Sequence, residues 1–176
     1  MTAAQVQVQV AVPGLVRRLA CLLYEQVLLF ALAVVVALVF SPLVGQKHAL
    51  THRYGLMAAV GLSFAVYFVY FWSKSGQTLA MKTWHLRLVD KHGVPPAPSL
   101  ALLRYLLGWM WCLPALFAVY LMDLQDSTAH IFTSLLVGVI AYALLSRVLP
   151  HRQFLHDVLC GTQLITFKPV KKTRPG

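Results

Sequence analysis

Four long stretches without any Lys, Arg, Asp or Glu constrain the fold of this chain more than any other feature. They cover residues 26–46, 54–73, 105–122 and 127–146. A helix of about 20 apolar residues crosses the hydrocarbon core of a bilayer, which is roughly 30 Å thick. Only 11% of the 176 residues are charged, whereas soluble domains contain roughly 25%. The sequence therefore predicts an all-α membrane protein, a four-helix transmembrane bundle with the lipid bilayer as its main partner.

The spans are expected to extend beyond the uncharged windows, because long basic side chains at helix ends can reach the membrane surface. We predict spans over residues 19–42, 54–73, 102–122 and 129–149. Pro114 should kink the third span, because proline lacks the N–H that continues a helix. The second span closes with aromatic residues that are expected to anchor it at the interface, namely Tyr67, Tyr70 and Trp72. The predicted organisation is a cytoplasmic segment, one transmembrane domain and a basic cytoplasmic tail, at residues 1–18, 19–167 and 168–176.

The distribution of Lys and Arg predicts the orientation of the spans, because positively charged loops remain in the cytoplasm. Thirteen of the fifteen basic residues flank the spans on one side, and only Lys47 and Arg53 fall on the other. We therefore expect both termini in the cytoplasm, with the protein in a bacterial inner membrane. The net charge of +10 has the same origin. We expect no nucleic-acid binding, because the basic residues flank apolar runs and do not form a soluble basic face.

The segments on the predicted cytoplasmic side carry signals for a small β-element and a short helix. Residues 5–10 alternate Gln and Val, and apolar residues also alternate over 84–88. A third strand is predicted over residues 162–167, and the three strands would form a small sheet. Apolar residues recur at helical spacing over 153–160, which predicts a short helix lying in the membrane interface.

Glu25 is the single acidic residue inside a predicted span. A carboxylate in hydrocarbon is costly unless it is protonated, paired or next to water, so Glu25 needs a partner. Arg18 lies on the same helix face but about 10 Å away along the axis. We therefore predict Asp157 as the partner of Arg17 or Arg18, and Arg104 as the partner of Glu25. This set is the predicted ion or proton site, and a purely structural ion-pair network is the alternative.

Several short motifs follow one another in order through most of the chain. They are PGLVRRLA at residues 13–20 with an acid at position 25, GQTLAMK at 76–82, LRLVD at 86–90 with Gly93, RYL at 104–106 and HDVLCGT at 156–162. Taken together, they resemble the RDD family of membrane proteins, which is named for one arginine and two aspartates.

The resemblance assigns the family's arginine to Arg18, its first aspartate to position 25 and its second aspartate to Asp157. This chain has Glu25 in place of the first aspartate, which keeps the charge but reaches one methylene further. A transport role, including sodium/proton antiport, has been attributed to some members of the family. The resemblance thus implies a membrane protein with a buried acid and arginine set.

Histidines and cysteines do not form a recognisable metal or cofactor site in the sequence. His48 and His52 lie four residues apart, but their loop supplies no Cys or acidic ligand. No nucleophile, phosphate-loop or HExxH motif occurs. We therefore predict neither metal nor cofactor, and no enzymatic activity.

Two functions fit these observations. The first is transport of small cations or solutes coupled to protons, with Glu25 alternating between a proton and a monovalent cation. Four spans are few for a complete pathway, so such a transporter would form a homo-oligomer or join another membrane protein. The second is a non-transporting accessory or assembly protein that docks a partner through its cytoplasmic face. Residues 5–10 would then offer a strand edge to the partner.

Overall fold

The fold, seen in a computed structural model, is mostly helical with one small sheet. The structure describes residues 12–43, 53–123, 127–149 and 153–167. The elements in chain order are α1 (Leu15–Leu43), α2 (Arg53–Ser75), α3 (Leu79–Thr83), β1 (Leu86–Val89), α4 (Pro98–Gly108), α5 (Leu113–Leu121), α6 (Thr128–Leu145), α7 (Leu155–Cys160) and β2 (Gln163–Thr166).

Four helical segments of the described chain are long and apolar enough to cross a membrane. They are α1, α2, the consecutive helices α4 and α5, and α6. These four candidate spans agree with the predicted ones in number and approximate position. Helix α1 begins at Leu15, four residues earlier than predicted, so that Arg17 and Arg18 belong to the first span. The orientation of the termini stays a prediction.

The third span is broken in the middle, close to Pro114, where the sequence predicts a kink. Helix α4 ends at Gly108, a short 3₁₀ turn covers Trp109–Trp111, and α5 begins at Leu113. Pro114 occupies the second position of α5, where its missing N–H interrupts the hydrogen-bond ladder from the preceding turn. The two halves of the span pack against different helices, α4 against α2 and α5 against α6.

The sheet contains two antiparallel strands, with Leu86 opposite Thr166 and Val89 opposite Gln163. Two of the three predicted strands are therefore confirmed, while residues 5–10 lie outside the described part of the chain. The outer edge of β2 is occupied at Leu164. There the side-chain amide of Gln153 accepts a hydrogen bond from the Leu164 N–H and donates one to the Leu164 carbonyl.

The best-buried apolar residues gather at one end of the bundle. This core joins α1, α2, α3, α4 and both strands through Cys21, Trp72, Ala80, Met81, Leu86, Leu88, Ala101 and Leu164. By contrast, the long helices expose many large apolar side chains, which suits contact with lipid. The packed end of the bundle is where the candidate site lies.

Helix α7 is a six-residue helix that ends at Cys160 and is capped by Gly161. Gly161 adopts φ +64°, the left-handed conformation that commonly terminates helices, and the chain then continues into β2. The predicted helix over 153–160 is confirmed in a shorter form. Its position in the membrane interface stays a prediction.

Gly76 joins α2 to α3 in a conformation that only glycine tolerates well. It has φ +70°, and a Cβ atom there would collide with the Leu88 carbonyl oxygen. The same close approach lets the Leu88 N–H donate to the Gly76 carbonyl at 2.7 Å. Gly76 thus fixes how β1 lies against the end of α2.

We predict that Gly76→Ala destabilises the protein more than Gly93→Ala. Both glycines have positive φ, so each substitution incurs the left-handed penalty of about 1–2 kcal/mol. Only Gly76 adds a collision with backbone, since nothing lies within 4 Å of a Cβ built at Gly93. Thermal unfolding of the purified variants in detergent should show the larger drop in Tm for Gly76→Ala. Equal drops would contradict the packing of β1 against Gly76.

Candidate functional site

An ion pair between Arg104 of α4 and Asp157 of α7 is the centre of the site. The Arg104 Nε lies 2.7 Å from the Asp157 Oδ1. Asp157 is 0% exposed, and its Oδ1 also accepts a hydrogen bond from the Thr162 hydroxyl at 3.1 Å. The Thr162 N–H donates to the Asp157 carbonyl at 2.9 Å. These contacts fix the turn from α7 into β2 against α4.

Arg18 of α1 is buried beside Phe154, the residue that precedes α7. It is only 4% exposed, it is attracted electrostatically by Asp157, and its guanidinium is centred 5.7 Å from the Phe154 ring. The predicted attraction between Arg18 and Asp157 is therefore present. Two buried guanidinium groups, Arg18 and Arg104, are thus attracted by one carboxylate, which Arg104 contacts directly.

Arg17 makes contacts different from those of its neighbour Arg18. Its guanidinium donates to the Trp84 carbonyl at 2.7 Å and to the His85 carbonyl at 3.0 Å. It also reaches the Thr166 hydroxyl at 3.4 Å. Carbonyls at a helix end lack intrahelical partners, and Arg17 supplies donors for those that follow α3. Of the two proposed partners for Asp157, Arg17 is thus the wrong one, and it instead ties α1 to the sheet.

Glu25 forms a second, separate cluster. It is 6% exposed, its Oε1 accepts a hydrogen bond from the Tyr67 hydroxyl at 2.7 Å, and its Oε2 accepts one from the Thr78 hydroxyl. Thr78 is the N-cap of α3, where its hydroxyl also accepts the Met81 N–H at 3.2 Å. Glu25 therefore joins three elements, α1, α2 and the start of α3.

The predicted pairing of Glu25 with Arg104 is wrong. Within the described residues, the ion pair of Arg104 is with Asp157, and its guanidinium lies over the Trp72 ring at 4.3 Å. The hydrogen-bond donors that the described chain brings to Glu25 are hydroxyl groups. The residues predicted as one network are thus divided among an Arg18–Arg104–Asp157 cluster, a Glu25–Tyr67–Thr78 cluster and the Arg17 contacts.

Tyr67 and Trp72 were predicted as interface anchors, but both contribute to these clusters. Trp72 is buried beneath Arg104, and the Tyr67 hydroxyl faces Glu25. The sequence marks Thr78 only as part of the GQTLAMK motif. Nothing in the sequence distinguishes Tyr67 as a partner of Glu25, because aromatic residues near the end of a span are common as interface anchors.

His156 is held beside Asp157 by an aromatic stack. The His156 ring lies parallel to Tyr142, with 6.0 Å between ring centres, and parallel to Phe154 at 5.8 Å. Its Nδ1 is 2.7 Å from the Tyr142 hydroxyl, and its Nε2 is 3.7 Å from the Asp157 Oδ2. Burial lowers the pKa of His156 to about 4 despite the attraction of Asp157. Burial alone would raise the pKa of Asp157, but the charge and hydrogen bond of Arg104 hold it below its ordinary value.

We predict that the protein loses stability as the pH falls from about 6.5 to about 4. In that window His156 is protonated in the unfolded chain but stays neutral in the folded one. The free energy of unfolding therefore falls by about 3 kcal/mol at most. Asp157 acts in the same direction at still lower pH, because its ionised form is favoured in the fold. His156→Gln should flatten the decline in Tm over this window, and His92→Gln, at an exposed position, should leave it unchanged. The same decline in all three proteins would contradict the burial of a neutral His156.

We also predict that Asp157→Asn is among the most damaging polar substitutions. It leaves Arg18 and Arg104 close together without their shared carboxylate, and breaking such a buried pair typically costs about 3–5 kcal/mol. Asp123→Asn, at an exposed acid, is the matched control and should be nearly neutral. Apparent Tm and yield in the membrane fraction are the measurements. If Asp157→Asn behaves like Asp123→Asn, the ion pair does not hold α7 in place.

No group of three or more His, Cys, Asp or Glu side chains in the described part of the chain is arranged to hold a metal ion. His48 and His52 lie outside the described residues. The three cysteines are free thiols.

The four candidate spans and the ionic cluster at their packed end define the class as a multi-pass helical membrane protein. Within that class, the model of the RDD family matches residues 12–161, and the chain belongs to this family. The match includes Arg18, Glu25, Arg104 and Asp157. Comparison with curated proteins and with solved structures found no significant match.

Proposed function

We propose that this RDD family member exchanges protons for small monovalent cations across a bacterial inner membrane, with both termini in the cytoplasm. Glu25 is the group that binds either the proton or the cation. One observation carries the proposal: a buried carboxylate in a candidate span is held by two hydroxyl groups, and not by a basic side chain, among the described residues.

The contrast with Asp157 explains why Glu25 is the better exchange group. A guanidinium 2.7 Å away compensates the charge of Asp157 permanently and leaves little room for a cation. Hydroxyl groups hold Glu25 without neutralising it. Tyr67 and Thr78 donate hydrogen bonds to the carboxylate and also carry oxygen lone pairs. Carboxylate and hydroxyl oxygens are suitable ligands for a hard cation, so the same three side chains can surround either occupant.

Helix α3 controls the approach to Glu25 from the predicted cytoplasmic side. Thr78, at the start of α3, is 0% exposed and lies directly on Glu25. Tyr67 lies eight residues before the last residue of α2, which places its Cα about 12 Å inside that helix end. Displacement of the five-residue α3 is therefore the motion that opens the carboxylate on this side. A second opening, on the opposite side, would be built between copies of the chain in a homo-oligomer.

The test is cation-driven proton flux in vesicles that contain the purified protein and a pH-sensitive dye. Glu25→Gln should abolish the flux, because the amide neither ionises nor carries a proton through the cycle. Glu25→Asp should retain part of it, because the acid is kept. Asp123→Asn, an exposed acid at the far end of α5, is the control and should transport like the wild type.

Equal flux from the wild type and from Glu25→Gln would remove Glu25 from the mechanism. If wild-type vesicles show no cation-driven flux, the accessory function becomes the better proposal. In that case the Glu25 cluster is structural, and Glu25→Gln should lower Tm without any effect on transport.

A further inference from the structure

We propose that the cleft between the start of α1 and the end of α6 binds a phosphate-bearing anion, such as the headgroup of an acidic phospholipid. The cleft has a volume of about 440 Å³ and is lined by Gly14, Leu15, Arg18 and Arg147, among other described residues. It is distinct from the Glu25 cluster, and the proposal does not depend on transport.

The two arginines give the cleft the chemistry of an anion site. Arg18 reaches it from α1 and is almost fully buried, while Arg147 follows the end of α6 and is exposed. A guanidinium presents several N–H donors in a planar fork that matches the geometry of phosphate oxygens. One buried and one exposed arginine can therefore hold a phosphate from two sides.

The charges around the cleft favour an anion. Arg18 and Arg147 bring two positive charges to the cleft, and no acidic side chain is among its described lining residues. Arg104 already binds the Asp157 Oδ1 at 2.7 Å, so the carboxylate that attracts Arg18 is a shared one.

The first turn of α1 adds donors on the same side. The Arg18 N–H bonds to the Gly14 carbonyl at 3.2 Å, so the helix ladder starts at Gly14. The N–H groups just before Arg18 are those that a helix cannot satisfy internally, and they point outward at its positive end. The 29-residue helix α1 thus supports the two arginines in binding an anion. Ser146 also lines the cleft, but its hydroxyl already donates to the Ala143 carbonyl at 2.6 Å.

The surroundings fit a lipid better than a free ion. Val16 and Val148, next in sequence to lining residues, are 82% and 85% exposed. Val16 belongs to the first candidate span and Val148 lies three residues after the fourth, where acyl chains can cover them. A lipid headgroup in the cleft would contact the arginines, and its acyl chains would cover the two exposed valines.

The experiment measures thermal unfolding of the full-length protein in a neutral detergent. Phosphatidylglycerol, phosphatidylcholine and inorganic phosphate are titrated separately. Phosphatidylglycerol should raise Tm well above the effect of phosphatidylcholine. Arg147→Gln should weaken that binding by about tenfold, the loss expected for a charge-assisted hydrogen bond. Lys82→Gln, at an exposed basic residue of α3, is the matched control and should bind like the wild type.

Equal stabilisation by the two lipids, or equal weakening in Arg147→Gln and Lys82→Gln, would overturn the proposal. The second result would mean that general attraction to basic residues explains the binding. Stabilisation by inorganic phosphate as strong as that by phosphatidylglycerol, and lost in Arg147→Gln, would support the site and assign it to free phosphate.

Discussion

The ion pair between Arg104 and Asp157 holds together parts of the chain that are far apart in sequence. Arg104 belongs to a helix of the third span, whereas Asp157 belongs to the short helix that follows the fourth. Because Asp157 is completely buried, its charge is unfavourable unless Arg104 and Thr162 stay in place. The path of α7 into β2, and with it the pairing of β2 with β1, therefore depends on this contact. Arg18 adds α1 to the same arrangement.

The two buried acids of the packed end, Glu25 and Asp157, have different environments. Asp157 is surrounded by positive charge and is suited to hold structure. Glu25 accepts hydrogen bonds from two hydroxyl groups, and in the proposed function it is the acid that exchanges a proton for a cation. The contacts of Asp157 are ionic, whereas those of Glu25 are with neutral hydroxyl groups.

The sequence predicted the four spans well, because uncharged runs report directly on burial in lipid. It also identified the side chains that are expensive to bury, and Arg18, Glu25, Arg104 and Asp157 are all buried. Their pairing was harder to predict, since it depends on how the helices are rotated against one another. Arg104 faces Trp72 and α7, which left Glu25 to Tyr67 and Thr78. A hydroxyl carries no signal of its partner in a single sequence, so the Glu25 cluster became visible only in three dimensions.

Gln153 has a consequence for how the protein behaves among copies of itself. A two-stranded sheet has little area, and its outer main-chain groups are ready to pair with any extended peptide nearby. The Gln153 amide occupies both main-chain groups of Leu164, as a neighbouring strand would. A single side chain thereby protects this part of the edge from pairing with a strand of another copy. A strand that pairs with β2 at Leu164 must first break both hydrogen bonds of Gln153. Association of the sheet with another extended chain is therefore less favourable at this point.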